Sequence, residues 1–410
     1  VSVAGIDRPE AVRSADWLEL IRPGDLVVVA QGVGEPTVLL ETVLAASPDD
    51  VDLFVGLSHS AALAPPAAMP LLSFGALGPL GAPAHRGRVG VIPAHFDDLP
   101  RVLRERGQDI VVLIQVGPVD ADGTHGLGMA VDHTYELLAH ARVVVAEVND
   151  QMPPTASPRI AAATFDAVVE TSRPLPVVAT PPTTGVHDRI AEHVAGLVPD
   201  EATLQLGIGA MAFAIGRALS DRVGLSVRST LVGDWLLELE RSGSIRTGGG
   251  AVVISEAAGS AELYDLVTRG AIPVRPVADV VGPAARGEVA RFVAVNSALE
   301  VDLTGQVNAE ALPTGYIGGI GGQSEFLRAG QRSPGGRSIV ALPATAGRYS
   351  RIVGSLTGDA VTSPRSNVDF VVTEHGVADL RGRSLAERAD ALIAIAAPEH
   401  RTTLKEGLAR

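Results

Sequence analysis

Asp109–Gln115 reads DIVVLIQ and Val143–Glu147 reads VVVAE. Each is a continuous apolar run closed by a polar residue, the pattern of a strand buried on both faces in a parallel sheet. Similar runs recur at Asp25–Ala30, Val51–Val55, Leu204–Leu206, Val252–Ile254, Ser338–Leu342 and Phe370–Thr373. Between them lie amphipathic stretches such as Pro36–Ala46, Asp188–Leu197 and Leu385–Ala396, the last with Arg and Glu opposite an apolar face. Strand and helix alternate, so the expected fold class is α/β.

Thr171–Gly185 (TSRPLPVVATPPTTG) carries four prolines, which favour extended backbone and interrupt helices. It reads as a linker between two α/β domains, 1–183 and 184–410. A cleft between domains is a usual place for a ligand.

The 410 residues include 33 Lys+Arg, 47 Asp+Glu and no Cys, for a net charge of −14. Without cysteine there is no disulfide, thiolate metal site or cysteine nucleophile. The acidic balance argues against nucleic acid or an anionic membrane as partner. Val1–Arg13 shows no charged-then-apolar signal pattern, and no apolar run reaches the ~18 residues of a membrane span. A cytoplasmic location is expected. An anionic small molecule would need a local cluster of Arg or N–H donors.

The densest glycine cluster is Gly315–Arg328, GYIGGIGGQSEFLR. Gly318, Gly319, Gly321 and Gly322, with Gln323 beside them, free successive N–H groups to face an anion or a thioester carbonyl. A tight strand-to-helix turn explains the same residues. Arg328, Arg332, Arg337, Arg348 and Arg351 are close in sequence and offer a phosphate-binding surface.

Gly207 and Gly209 follow a strand in TLQLGIGAMAFAIG, but Gly216 is too distant for a G-x-G-x-x-G dinucleotide fingerprint. They fit close strand–helix packing or an N–H-lined pocket at a helix start. In Gln115–Gly128 (QVGPVDADGTHGLG), Asp120, Asp122 and His125 read as turn chemistry ahead of a metal site. Glu374, in VVTEHGVADLRG, ends an apolar strand and is expected in the ligand crevice, with helix capping by Thr373 and Glu374 as the alternative. Asn296 stands at another strand-like end, and Glu300 and Asp302 share a face if extended. Trp235 and Met211–Phe213 read as core before acyl pocket.

These clusters, in this order, resemble the acetyl-CoA hydrolase/CoA-transferase family. The matching stretches are Gly32–Pro36 (GVGEP), Gln115–Gly128, Val143–Pro153 (VVVAEVNDQMP), Leu204–Ala210 (LQLGIGA), Val295–Asn308 (VNSALEVDLTGQVN), Gly319–Phe326 (GIGGQSEF), Ser350–Val353 (SRIV) and Val371–Arg381 (VVTEHGVADLR). The resemblance implies two related open α/β domains with the active site between them, coenzyme A bound as acyl-CoA substrate, no metal, and a homodimer or larger homo-oligomer. It also implies that Gly319, Gly321 and Gly322 belong to the loop holding CoA and the thioester carbonyl, and that Glu374 is an active-site carboxylate.

One departure from the family pattern bears on mechanism. Members carry a nucleophilic glutamate in a segment resembling H-[ST]-E-[ML]-x-x-D, and here Arg228–Asp234 reads RSTLVGD, with Thr230 at that place. No glutamate falls between Gly224 and Leu237. The family's Asn-Asp-Pro-like stretch reads VGP at Val281–Pro283. A threonine hydroxyl needs a positioned base, and its ester is less activated than a thioester. The expected activity is therefore acyl-CoA hydrolysis, or acyl transfer to an amine or alcohol, with Glu374 or Asp234 as general base. The alternatives are CoA transfer through a displaced carboxylate, Glu238, Glu256 or Glu374, or a non-catalytic CoA-thioester binder or inactive partner subunit.

Overall fold

A computed structural model of the chain describes residues 12–13, 16–63, 69–81, 87–357 and 360–408. Of the Val1–Arg13 stretch read for a signal pattern, residues 1–11 lie outside the described residues. The chain divides into two compact units, Val1–Val178 with Ile254–Ala278, and Ala179–Val253 with Asp279–Arg410. The first cut falls close to the expected boundary after residue 183. Ile254–Ala278, which the sequence boundary leaves in the second half, groups instead with the first unit.

The first unit is built on eight parallel strands in the order Val12–Arg13, Ala167–Thr171, Val143–Asn149, Ile110–Val116, Leu26–Val29, Asp52–Val55, Leu71–Ser73 and Val89–Val91. Every residue of Leu26–Val29 and of Ile110–Val116 is buried, as their unbroken apolar runs require. Val27, Val29, Leu53, Val55, Val111, Leu113 and Val145 pack with Leu39, Leu40 and Val43 of the Thr37–Ala46 helix. Each such side chain contributes roughly 1.5–3 kcal/mol on burial.

The second unit holds six strands of a sheet in the order Ser226–Val232, Thr203–Gln205, Phe292–Asn296, Arg337–Ala341, Phe370–Thr373 and Gly376–Asp379. From Ser226–Val232 to Phe370–Thr373 the pairing is parallel, and Gly376–Asp379 closes the edge antiparallel. Residues 172–184, the proline-rich stretch, form neither helix nor strand. In each unit the parallel strands bring their carboxyl ends, and the turns after them, to one edge, where ligands bind in open α/β sheets. No helix among the described residues is long and apolar enough to cross a membrane.

Candidate active site

In the second unit the carboxyl edge carries most of the expected residues. Asn296 ends its strand half-buried, and its amide donates to Gln205 Oε1 at 2.9 Å. Ser297 donates to the Ala341 carbonyl at 2.9 Å, and Gln323 Nε2 donates to the Ser297 carbonyl at 3.0 Å. Three strand ends and the start of the Gln323–Arg332 helix are tied together by these bonds. Glu374 sits one residue past the Phe370–Thr373 strand with its carboxylate largely buried. Its Oε2 accepts the Ala344 N–H at 2.8 Å, and its Oε1 lies 3.9 Å from His375 Nε2. No helix follows: the chain turns back into Gly376–Asp379, and the Thr373 hydroxyl donates to the Ile395 carbonyl at 2.6 Å. The helix-capping reading of Thr373 and Glu374 is therefore overturned. Arg351 is a further charge felt by Glu374, and burial lowers its own pKa.

Within the glycine loop, the N–H groups of Ile317 and Gly318 both donate to the Glu310 carbonyl, at 2.7 and 2.9 Å. A Cβ on Gly318 would run into the Ala309 carbonyl, so only glycine lets this loop pack so close. Gly318 thus anchors the loop, while Gly319–Gly322 lead into the helix, with Gly321 at φ +54. Gly322 is the helix N-cap and no side chain caps it.

The five nearby arginines do not form one surface. Arg337 begins its strand, at the edge opposite Glu374, and donates to the Leu197 carbonyl. Arg332 ends the ten-residue helix that starts at Gln323, some 15 Å of helix away from the loop. Arg348 and Arg351 alone follow the carboxyl end of the Arg337–Ala341 strand.

Gly207 and Gly209 follow the Thr203–Gln205 strand, and Gly209 (φ +94) is the N-cap of the Ala210–Ala218 helix. Trp235 Nε1 donates to the Gly207 carbonyl at 2.8 Å. At 1% exposure, Trp235 is core. Thr230 lies half-buried inside the Ser226–Val232 strand, two residues before its end. Asp234 is the N-cap residue of the Trp235–Arg241 helix but makes no side-chain cap bond. Arg228 shares the strand face of Thr230 and donates to the Asp279 carbonyl at 2.9 Å. That carbonyl has lost its usual helical donor because Pro283, four residues on, has no N–H. The Val277–Ala285 helix that carries VGP and the Arg228–Asp234 segment are thus joined through Arg228.

Glu238 forms an ion pair with Arg241 at 2.9 Å. Glu300 accepts from the Thr357 hydroxyl and N–H, and Asp302 accepts from Thr304 and Gln306. Asp122 accepts from the Thr124 N–H and hydroxyl, Asp120 pairs with Arg159, and His125 Nδ1 meets the Gly117 carbonyl at 2.8 Å. These groups hold turns and strands.

The first unit contains a polar network that sequence reasoning missed. Its centre is the turn after Leu26–Val29, where Gly32–Gly34 makes a single 3-10 turn. Gln115 donates to the Val33 and Glu35 carbonyls at 3.3 and 3.1 Å, and Asn149 donates to Gln115 at 2.9 Å. Glu147, fully buried, accepts the Val38 and Leu39 N–H groups and so fills the anion-binding start of the Thr37–Ala46 helix. Arg173 neutralises it at 2.7 Å. Burial pushes Glu35 up to about 7 against bonds from Ser58, Thr37 and His59 and the charge of Arg173. Gln115 and Glu147 were visible as polar residues closing apolar runs; their common target, and the part of Asn149, were not.

Residues 10–179 match the acetyl-CoA hydrolase/transferase N-terminal domain, and residues 259–408 match the C-terminal domain. The 4-hydroxybutyrate coenzyme A transferase of Clostridium kluyveri is 38% identical over 329 residues, 78% of this chain and 77% of that protein. The crystal structure of RipA from Yersinia pestis superposes with a TM-score of 0.87 at 29% identity, covering 96% of each chain. A 4-hydroxybutyrate CoA-transferase from Porphyromonas gingivalis gives 0.77 at 32% identity, again covering 96% of each.

Proposed function

Since the chain belongs to the acetyl-CoA hydrolase/transferase family, we propose that it consumes an acyl-CoA thioester without a glutamyl-CoA intermediate, passing the acyl group to water or to a bound amine or alcohol. The observation that carries this reading is Thr230, half-buried on its strand in a segment with no glutamate from Gly224 to Leu237.

Glu374 is the general base in this reading, with Asp234 as the other candidate. Its carboxylate takes the proton of the attacking O–H or N–H as the new bond to the thioester carbon forms. The carbonyl oxygen becomes an oxyanion, which the N–H groups of Gly319–Gly322 stabilise; such donors are often worth roughly 10²–10³ in rate. The C–S bond then breaks and the CoA thiolate leaves, to be protonated by the acid form of Glu374 or by water. Gln323, Asn296, Gly207 and Gly209 hold the thioester end of CoA. A homodimer or larger homo-oligomer and a cytoplasmic location belong to the same reading; sedimentation tests the first and fractionation the second.

The relationship to CoA-transferases favours a second reading, transfer of CoA to a carboxylate through a displaced glutamate. Of the three candidates Glu374 is the best placed, because Glu238 is paired with Arg241 and Glu256 is fully buried against a main-chain N–H. A panel of acyl-CoAs monitored for free thiol decides. Release without acceptor supports hydrolysis, release only with an amine or alcohol supports acyl transfer, and exchange only with a carboxylate supports CoA transfer. Binding without turnover under every condition identifies a non-catalytic binder or an inactive partner subunit.

A further inference from the structure

We propose that Glu256 is the positioning residue of the Gln31–Glu35 turn, its carboxyl filling the space under Gly32 and taking the Val33 N–H. Glu256 belongs to the Ile254–Ala278 segment that groups with the first unit. Its Oε1 accepts from Val33 N at 3.1 Å, and its Oε2 from Gln31 Nε2 at 3.4 Å. The Gln31 amide is held in that orientation because its Oε1 accepts the Leu57 N–H at 3.3 Å. Asp132 takes the Gln31 main-chain N–H at 2.5 Å, and the Gly32 N–H goes to the Leu57 carbonyl at 2.7 Å. The N–H groups of Gln31, Gly32 and Val33 are thus all turned into the scaffold. The turn is not an anion cradle but a rigid wall whose shape depends on the carboxyls behind it.

The fit is close. Gly32 has φ +61, and a Cβ there would fall inside the Glu256 carboxyl. The strand carrying Glu256 is itself fixed to the same region, since Ala257 N donates to the Met129 carbonyl at 3.1 Å and Val131 N to the Ser255 carbonyl at 2.8 Å. The groups bonded to the Glu256 carboxyl are an N–H and a neutral amide, and the nearby charge it feels is the carboxylate of Asp132. Burial and that like charge hold the group uncharged, with a pKa pushed up to about 8. A glutamine is uncharged and keeps one acceptor oxygen for the Val33 N–H, although its NH2 cannot accept from Gln31 as Oε2 does, whereas an aspartate is too short to reach.

Hydrogen exchange on the intact chain tests the assignment. Glu256→Ala is expected to speed exchange of the Val33 and Gly34 amides at least tenfold, and Glu256→Gln to restore protection. Unchanged exchange in Glu256→Ala overturns the proposal, as does a Glu256→Gln variant that exchanges as fast as Glu256→Ala. If Glu256→Ala does not fold, Glu256→Asp, too short to reach the Val33 N–H, takes its place, and exchange as slow as in wild type overturns the proposal.

Discussion

The Ala344 N–H donates to Glu374 Oε2 at 2.8 Å, across the ends of two neighbouring parallel strands. One carboxylate oxygen is thereby fixed at the carboxyl edge of the sheet. Glu374→Gln keeps an acceptor for Ala344 but removes the carboxylate proposed above as the base. It is expected to lower turnover by roughly 10²–10⁴ while leaving the melting temperature nearly unchanged. Steady-state kinetics and a melting curve on one preparation check both halves.

Stability should fall as pH rises from about 6.5 to 8. Glu35 and Glu256 have folded-state pKa values of about 7 and about 8, above the ordinary 4.5, so the folded chain binds protons that the unfolded chain has released. Their contribution is complete below about 4.5 and is lost as pH passes through 7 and 8. Burial lowers the pKa of His59 and of His133, which acts the other way, but only as pH falls below about 6.5. Urea unfolding across this range should show the decline, and Glu256→Gln should flatten its upper part.

Gly32→Ala should destabilise the chain by roughly 2–4 kcal/mol, combining backbone strain at φ +61 with displacement of the Glu256 carboxyl. Gly24→Ala is the control: φ is +89 but nothing lies within 4 Å of the new Cβ, so only the strain of about 1–2 kcal/mol applies. Denaturation midpoints of the two variants separate the clash from the strain.

Thr230→Glu should gain exchange of CoA between an acyl-CoA and a carboxylate. Glu374, Asn296 and Gln323 are held on the same sheet edge, so the added carboxylate enters a prepared setting. Exchange into a labelled acid, measured beside wild type, reads the gain.

Much of this was legible in the sequence. Runs such as DIVVLIQ and VVVAE became buried parallel strands because no polar residue interrupts them, and Glu374 and Asn296 stand at strand ends on the carboxyl edge of their sheet. What was not legible depends on contacts distant in sequence. Glu256 meets Val33 across 223 positions, and Arg173 meets Glu147 and Glu35 from beyond the last strand of its sheet. Arg337 and Arg351 looked equivalent beside the glycine loop, yet strand direction sends them to opposite edges. Thr230 lies inside the Ser226–Val232 strand, two residues before its end, a placement the RSTLVGD segment alone did not disclose.

The most direct test of the central claim is the protein's intact mass after incubation with a turned-over acyl-CoA, with and without borohydride or hydroxylamine. The account predicts CoA thiol accumulating in solution while the protein shows no glutamyl-CoA adduct and no trapped product of one. CoA captured as a thioester on any glutamate of the chain would contradict it.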